Sequence, residues 1–233
     1  MVRDLPTEPP KRLAIVDDEA LLRDLLATAL RLEPLFEIVA TYGDPDRALK
    51  EIPHRSIDVA ILDVGLNAPM NGVELGIKLR RQTPQLGVML LTNHADPHLL
   101  AALPEDSAGG WSYMLKSSFN NTAGLVRAID SAANGMLVFD KELAKFATPR
   151  RNSNMSKLTA RQVEILALVA QGMTNTQIGL ETNVSERSVE NHLSRIYSEL
   201  HIDTRGSCHP RVAAVLRFIE QSVQRPPQAR GGR

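Results

Sequence analysis

Apolar residues in the first half of the chain follow two rhythms. Short runs rich in Val, Ile and Leu stand at 13–16, 38–41, 59–62, 88–91 and 113–115. They do not alternate with polar residues, which predicts strands buried on both faces of a sheet. Between them, apolar residues recur at helical spacing: Leu21, Leu22, Leu25, Leu26, Ala29 and Leu30, then Leu75 and Leu79, then Leu125, Val126, Ile129 and Ala133. Five strands alternating with five helices predict an α/β domain at 11–135. Its five-stranded parallel sheet would be doubly wound, with right-handed crossovers.

The rhythm stops near residue 136. The polar, basic stretch TPRRNSNMS predicts a connector over 136–156. From 157 to 223 only helical spacing remains, which predicts an all-α domain of four helices. Thr159-x-x-Gln162 is a capping box ahead of Val163, Ile165, Leu166 and Val169, and Gly172 closes that helix. A short helix follows around residues 177–182. Ser185 caps a longer one whose apolar stripe is Val189, Leu193, Ile196 and Leu200. Pro210 opens the fourth.

Composition narrows the class. Of 233 residues, 43% are apolar and 23% charged, as in globular proteins. The single cysteine, Cys208, excludes an intrachain disulfide and points to a reducing compartment. The opening MVRDLPTEPPKR has charges and prolines where a signal peptide would be apolar. No apolar run approaches the ~20 residues of a membrane helix. A cytoplasmic protein without a membrane partner is expected. The net charge is zero, yet residues 1–140 carry 13 basic against 19 acidic side chains and residues 141–233 carry 14 against 8. A front at −6 and a back at +6 imply different partners, with nucleic acid the first expectation for the basic half.

The acidic half places its chemistry at strand ends. Asp17 and Asp18 follow the first predicted strand, Asp63 the third, Thr92 the fourth and Lys116 the fifth. Ligands of parallel α/β sheets sit at the carboxyl ends of strands. Three aspartates gathered there call for a hard cation with oxygen ligands, Mg²⁺ being the natural candidate. Asp63 then reads as a nucleophile able to form an aspartyl-phosphate, with Asp17 and Asp18 on the metal. Lys116 would pair with the phosphoryl oxygens and Thr92 would hydrogen-bond to them.

IVDDE (15–19), ILDVGLNAPMNG (61–72), MLLTN (89–93) and YMLKS (113–117) together resemble the CheY-like receiver domain of bacterial two-component response regulators. The resemblance implies phosphorylation of Asp63 by a sensor histidine kinase, and a chain that catalyses only its own phosphoryl transfer and dephosphorylation. It makes Tyr113 the aromatic switch residue that turns inward when Thr92 engages phosphate, and gives the metal the Gly65 carbonyl. It also implies that the surface around the fourth helix, fifth strand and fifth helix responds. Three departures bear on phosphoryl lifetime. The loop after Asp63 is one residue longer than usual, Ser117 replaces the proline common after Lys116, and His94 stands two residues after Thr92.

In the basic half, setting Val189, Leu193, Ile196 and Leu200 inward turns Arg187, Asn191, Ser194, Arg195 and Ser198 outward, with Glu190 at the edge. Arg reads guanine, Asn adenine, and Glu can accept from cytosine. Thr174, Asn175 and Thr176, at the start of the preceding helix, and Lys157 are candidates for phosphate contact. Residues 158–200 resemble the LuxR-type helix-turn-helix domain through Leu158-Thr159, Arg161, Val163, Leu166, Gly172, Asn175, Ile178, Ser185, Val189, His192, Ile196 and Leu200. Gln162, Gly179 and Thr182 depart from the usual Glu, Ala and Leu. A recognition helix less basic than in many relatives implies lower non-specific affinity, or dependence on dimerisation for useful affinity. Val212, Val215, Leu216 and Ile219 are candidates for the dimer seam.

Both resemblances together match the NarL/FixJ group. The expected protein is a DNA-binding transcriptional regulator, homodimeric when phosphorylated or DNA-bound. Three alternatives stay open at this point. One is a phosphorylation-independent regulator whose receiver only dimerises or senses a ligand or partner. The others are a metal-dependent phosphatase and a LuxR-type sensor of a small molecule. No P-loop or kinase signature is present.

Overall fold

The structure, a computed structural model, describes residues 9–93, 109–120, 122–140, 154–205 and 208–222. They form two compact units divided after Asp140.

The first unit is a parallel sheet of β1 (Lys11–Val16), β2 (Phe36–Tyr42), β3 (Val59–Asp63), β4 (Gly87–Thr92), β5 (Trp111–Leu115) and β6 (Val138–Phe139), in the order β2-β1-β3-β4-β5-β6. Every residue of β3, β4 and β5 is buried, as unbroken apolar runs require. The helices are α1 (Ala20–Arg31), α2 (Pro45–Glu51), α3 (Gly72–Gln82) and α4 (Thr122–Ala133). Leu26, Ala27 and Leu30 of α1 and Leu125, Ala128, Ile129 and Ala132 of α4 join Leu13, Ile15, Ile61, Met89 and Leu91 in one core. α3 lies against the opposite face, where Gly76 comes close to Trp111 and Val88.

The sheet therefore has six strands where five were expected. Val138 and Phe139 extend it beyond β5, inside the segment read from sequence as connector. Asp140 continues the pairing: its N–H donates to Tyr113 O at 2.9 Å, and its Oδ2 accepts from Leu115 N at 3.3 Å. The helix expected between β4 and β5, and His94, lie outside the described residues. The periodicity of α1 also splits. Leu26 and Leu30 are buried, whereas Leu21, Leu25 and Ala29 are exposed.

The second unit is all helical: α5 (Ala160–Ala170), α6 (Asn175–Thr182), α7 (Glu186–Glu199) and α8 (Pro210–Ser222). Local chemistry sets each boundary. Thr159 Oγ1 accepts from Gln162 N at 3.3 Å while Gln162 Oε1 accepts from Thr159 N at 2.8 Å. Thr174 and Gln177 repeat the same box, so α6 starts two residues before the helix read from sequence. Asn183, in the left-handed region at φ 57°, ends α6. Ser185 Oγ accepts from Ser188 N at 3.2 Å and opens α7. The α6–turn–α7 pair has helix-turn-helix form. Ile165, Leu166, Val169, Ile178, Val189, Leu193, Ile196, Leu200 and Phe218 are buried.

One expectation is corrected here. Val212 and Val215 are buried within this unit, with 1% exposure each, and cannot line a dimer seam. Helical spacing marks an apolar face but cannot tell the domain's own core from a partner's. Leu216 and Ile219 are half-buried.

Candidate functional site

The strand order reverses around β1, which has β2 on one side and β3 on the other. That is where a doubly wound sheet opens a crevice at its carboxyl edge. β1 delivers Asp17 and Asp18 to it, and β3 ends on Asp63. β4 ends on the buried Thr92, and Lys116 follows β5 directly.

These groups converge. Lys116 Nζ lies 3.1 Å from Asp17 Oδ2 and 3.2 Å from Asp63 Oδ1, with the exposed Glu19 at 3.7 Å. Carboxylate oxygens of Asp17, Asp18 and Asp63 all lie within 4.8 Å of one another. One ammonium offsets only one of three carboxylates held this close. The remaining charge and the all-oxygen donor set fit a hard cation, so the cluster can bind a metal ion. Among the described residues it is the one group of acidic, His or Cys side chains with that arrangement.

Burial raises the Asp63 pKa. The Gly65 N–H, donating to Oδ1 at 3.2 Å, and the Lys116 charge pull it back in part, while Asp17 adds to the rise. Burial works against the Lys116 ammonium, but the Asp17 hydrogen bond and the charges of Asp63 and Asp17 outweigh it, and its pKa is raised. The surroundings thus favour the charged form of Lys116 and disfavour the charged form of Asp63.

The backbone presents Asp63 through a close approach. A Cβ on Gly72 would overlap the Asp63 carbonyl, so the Asn71-Gly72 pair lets α3 begin directly behind the aspartate. Asn71 caps α3 by accepting from Glu74 N at 2.9 Å. Tyr113, two strands from Asp63, is buried.

Three contributors escaped the sequence reading. Asn67 Nδ2 donates to Asp18 Oδ2 at 2.6 Å from the long loop after Asp63. Arg23 Nη1 donates to Asp17 O at 2.6 Å from the first turns of α1. Glu19 N donates to Asp17 Oδ1 at 2.8 Å. The extra loop residue was the one available signal for Asn67. Arg23 has no local signature, whereas the Glu19 bond is a two-residue turn within IVDDE.

The second unit presents a different surface. Arg187, Glu190, Asn191, Ser194, Arg195 and Ser198 are all exposed on α7, opposite its buried stripe of Val189, Leu193 and Ile196. Ser194 Oγ donates to Glu190 O at 3.0 Å, which leaves its oxygen free to accept. Thr174 and Thr176 are exposed at the start of α6, and Lys157 is exposed in the turn at Asn154–Lys157. Asn175 is half-buried, its Oδ1 accepting from Arg211 Nη1 at 3.1 Å. Arg211 also donates through Nη2 to Met173 O, so this α8 residue holds the N-terminus of α6 in place. Burial lowers the Arg211 pKa, with Tyr197 opposing the fall in part. His192 is half-buried.

Residues 13–130 match the response regulator receiver domain, and residues 156–207 match the luxR family of bacterial regulatory proteins. The chain is 30% identical over 223 residues to the nitrate/nitrite response regulator protein NarP of Escherichia coli, covering 93% of this chain and 98% of that protein. It is 29% identical over 200 residues to the transcriptional regulatory protein LiaR of Bacillus subtilis, covering 83% and 92%. Its fold is similar to that of the RcsB response regulator of Salmonella typhimurium. The TM-score is 0.53 at 18% identity, covering 91% of this chain and 99% of that one.

Proposed function

This chain belongs to the NarL/FixJ-type response regulators, a receiver domain joined to a LuxR-type DNA-binding domain, and from that premise we propose that phosphorylation of Asp63 controls its binding to DNA. It is a regulator of transcription. The observation that carries the proposal is the Asp63 carboxylate, buried between Lys116 and two further aspartates at the switch point of the sheet.

The phosphoryl donor is a sensor histidine kinase. An Asp63 oxygen attacks phosphorus as the bond to the donor nitrogen breaks, leaving an aspartyl-phosphate. Asp17, Asp18, Asp63 and the Gly65 carbonyl would hold Mg²⁺, which when bound neutralises charge on the phosphoryl oxygens. Lys116, already 3.2 Å from Asp63, pairs with one of those oxygens and gives up part of its contact with Asp17. The Thr92 hydroxyl donates to another. Thr92 stands beside Leu115 across the β4–β5 pairing, and Tyr113 lies on the same strand, so a shift of Thr92 is passed to β5. The chain's chemistry is confined to its own phosphoryl group.

The second half of the reading is dimeric recognition of DNA. α7 enters the major groove with Arg187, Asn191 and Arg195 toward base edges, while Thr174, Thr176 and Lys157 contact phosphates. Two copies meet half-sites about 34 Å apart, one helical turn.

Incubation with acetyl phosphate and Mg²⁺, read by intact mass, tests the first half. One phosphoryl group adds to the wild type and none to Asp63→Asn. A wild-type mass that stays unchanged refutes phosphorylation and leaves a receiver that acts without it.

A further inference from the structure

The three aspartates of the cluster are not held alike. Asp17 Oδ2 and Asp63 Oδ1 lie 3.1 Å and 3.2 Å from the Lys116 ammonium, which offsets part of their charge. Backbone N–H groups add to that hold, Glu19 donating to Asp17 at 2.8 Å and Gly65 to Asp63 at 3.2 Å. Asp18 has an oxygen within 4.8 Å of both others, yet among the described residues no cation pairs with it. Its two neighbours repel it, and it is the least buried of the three.

Asn67 opposes that repulsion. Its Nδ2 donates to Asp18 Oδ2 at 2.6 Å, and its backbone N lies 3.4 Å from the same oxygen. The loop that presents these donors is fixed on both sides. Leu66 and Met70 are buried, and Ala68 N donates to Leu66 O at 2.8 Å, which closes a three-residue turn with Asn67 at its apex. Asn67 itself is exposed, so its side chain has no packing role to explain the position.

We propose that Asn67 is a positioning residue for the cation: it holds the Asp18 carboxylate in the cluster and so sets the affinity for Mg²⁺. The inference rests on the metal-dependent reading above and adds a determinant supplied by the lengthened loop after Asp63. The chemistry favours holding over competing. A carboxylate accepts at about four lone-pair sites on two oxygens, so the bonds to Asn67 leave sites for a cation. Affinity for a hard cation rises with ligand charge and with site rigidity. A neutral amide adds rigidity and leaves the charge of Asp18 in place. Hydrogen-bond partners of metal-binding carboxylates act in this way in general.

The test is calorimetric titration of the unphosphorylated full chain with Mg²⁺. Asn67→Leu keeps the size of the side chain, removes its donor and weakens Mg²⁺ binding by about tenfold or more. Asn67→Ala, which adds no apolar bulk, gives the same loss. Asn67→Gln keeps an amide on a longer stem and regains part of it. Asp18→Ala weakens binding by itself, and Asn67→Leu added to it costs little more, because Asn67 acts through the Asp18 carboxylate. Melts without divalent ions keep loss of binding apart from loss of fold. Phosphoryl incorporation from acetyl phosphate is read in parallel by intact mass.

Mg²⁺ binding by Asn67→Leu and Asn67→Ala as tight as that of the wild type overturns the proposal. So does tighter binding, which would make the amide a competitor of the cation. Effects of Asp18→Ala and Asn67→Leu that add in full also overturn it, since Asn67 would then act elsewhere than on Asp18. A wild type that binds no Mg²⁺ ends this inference and the metal reading together. A wild type that is phosphorylated while its Mg²⁺ affinity is indifferent to Asn67 refutes this inference alone. The predicted order of affinities without phosphoryl incorporation supports the role of Asn67 and refutes the phosphoacceptor reading.

Discussion

The Asp140 carboxylate accepts the backbone N–H of Leu115 at 3.3 Å, which ties the last residue of the receiver unit to the strand end that carries Lys116. Asp140 is itself buried, and its N–H pairs with Tyr113 O. Two backbone groups on the outer edge of β5, Tyr113 O and Leu115 N, are thus clamped from the point where the chain leaves the receiver unit.

Asp140→Ala leaves a buried donor without this acceptor and lowers stability by about 1–3 kcal/mol. Asp140→Asn, which retains an oxygen, costs less. Urea unfolding of both variants checks the order; equal stabilities would show that the carboxylate contributes nothing there.

Gly72→Ala tests how closely α3 must approach the aspartate. The added methyl meets the Asp63 carbonyl, a backbone atom that cannot swing aside. A destabilisation of about 1–3 kcal/mol is expected from overpacking. Phosphoryl uptake measured where the variant is fully folded falls as well, because relief of the overlap moves Asp63 relative to Lys116. Uptake at the wild-type rate would disconnect this contact from the site.

The raised Asp63 pKa sets a pH dependence with a definite sign. Burial favours the protonated carboxyl in the folded state. Its contribution to stability is therefore fully present below the ordinary value of 3.8 and is lost as pH rises through the raised folded value. Without divalent ions, Asp63→Asn is at least as stable as the wild type at pH 7, and its advantage shrinks toward pH 4. Mg²⁺ raises the melting temperature of the wild type more than that of the variant. Parallel melts across pH, with and without the ion, decide it.

On α7, Arg187→Ala and Arg195→Ala each weaken specific DNA binding by about 1–3 kcal/mol where the residue reads a base, with relaxed sequence preference. A residue that instead contacts phosphate weakens binding to all sequences and reduces the salt slope by about one. Titrations on a specific and a scrambled site at two salt concentrations separate the two roles. Neither change alters folding, since both side chains are exposed.

What could be read from the chain depended on how local its cause was. Asp17, Asp18, Asp63, Thr92 and Lys116 each follow an unbroken apolar run, so strand ends and site residues were visible together. The exposed face of α7 followed from its buried stripe in the same way. β6 was hidden because Val138 and Phe139 form a strand only through pairing with β5, and two residues carry no periodicity. The outer leucines of α1 and the inner valines of α8 show the complementary failure. An apolar residue at helical spacing announces burial but not by what. Val212 and Val215 are buried in their own unit, while Leu21 and Leu25 are exposed. Asn67 and Arg211 act through partners 49 and 36 residues away, Asp18 and Asn175. No local pattern marks such pairs.

The central claim is that Asp63 and the DNA-binding surface are coupled. It is tested most directly by titrating promoter DNA with wild type and Asp63→Asn, each with and without acetyl phosphate and Mg²⁺. Coupling predicts that phosphorylation tightens wild-type binding by about 5–150-fold and leaves Asp63→Asn unchanged. Equal wild-type affinities in the two conditions, with phosphoryl incorporation confirmed by mass, would contradict it.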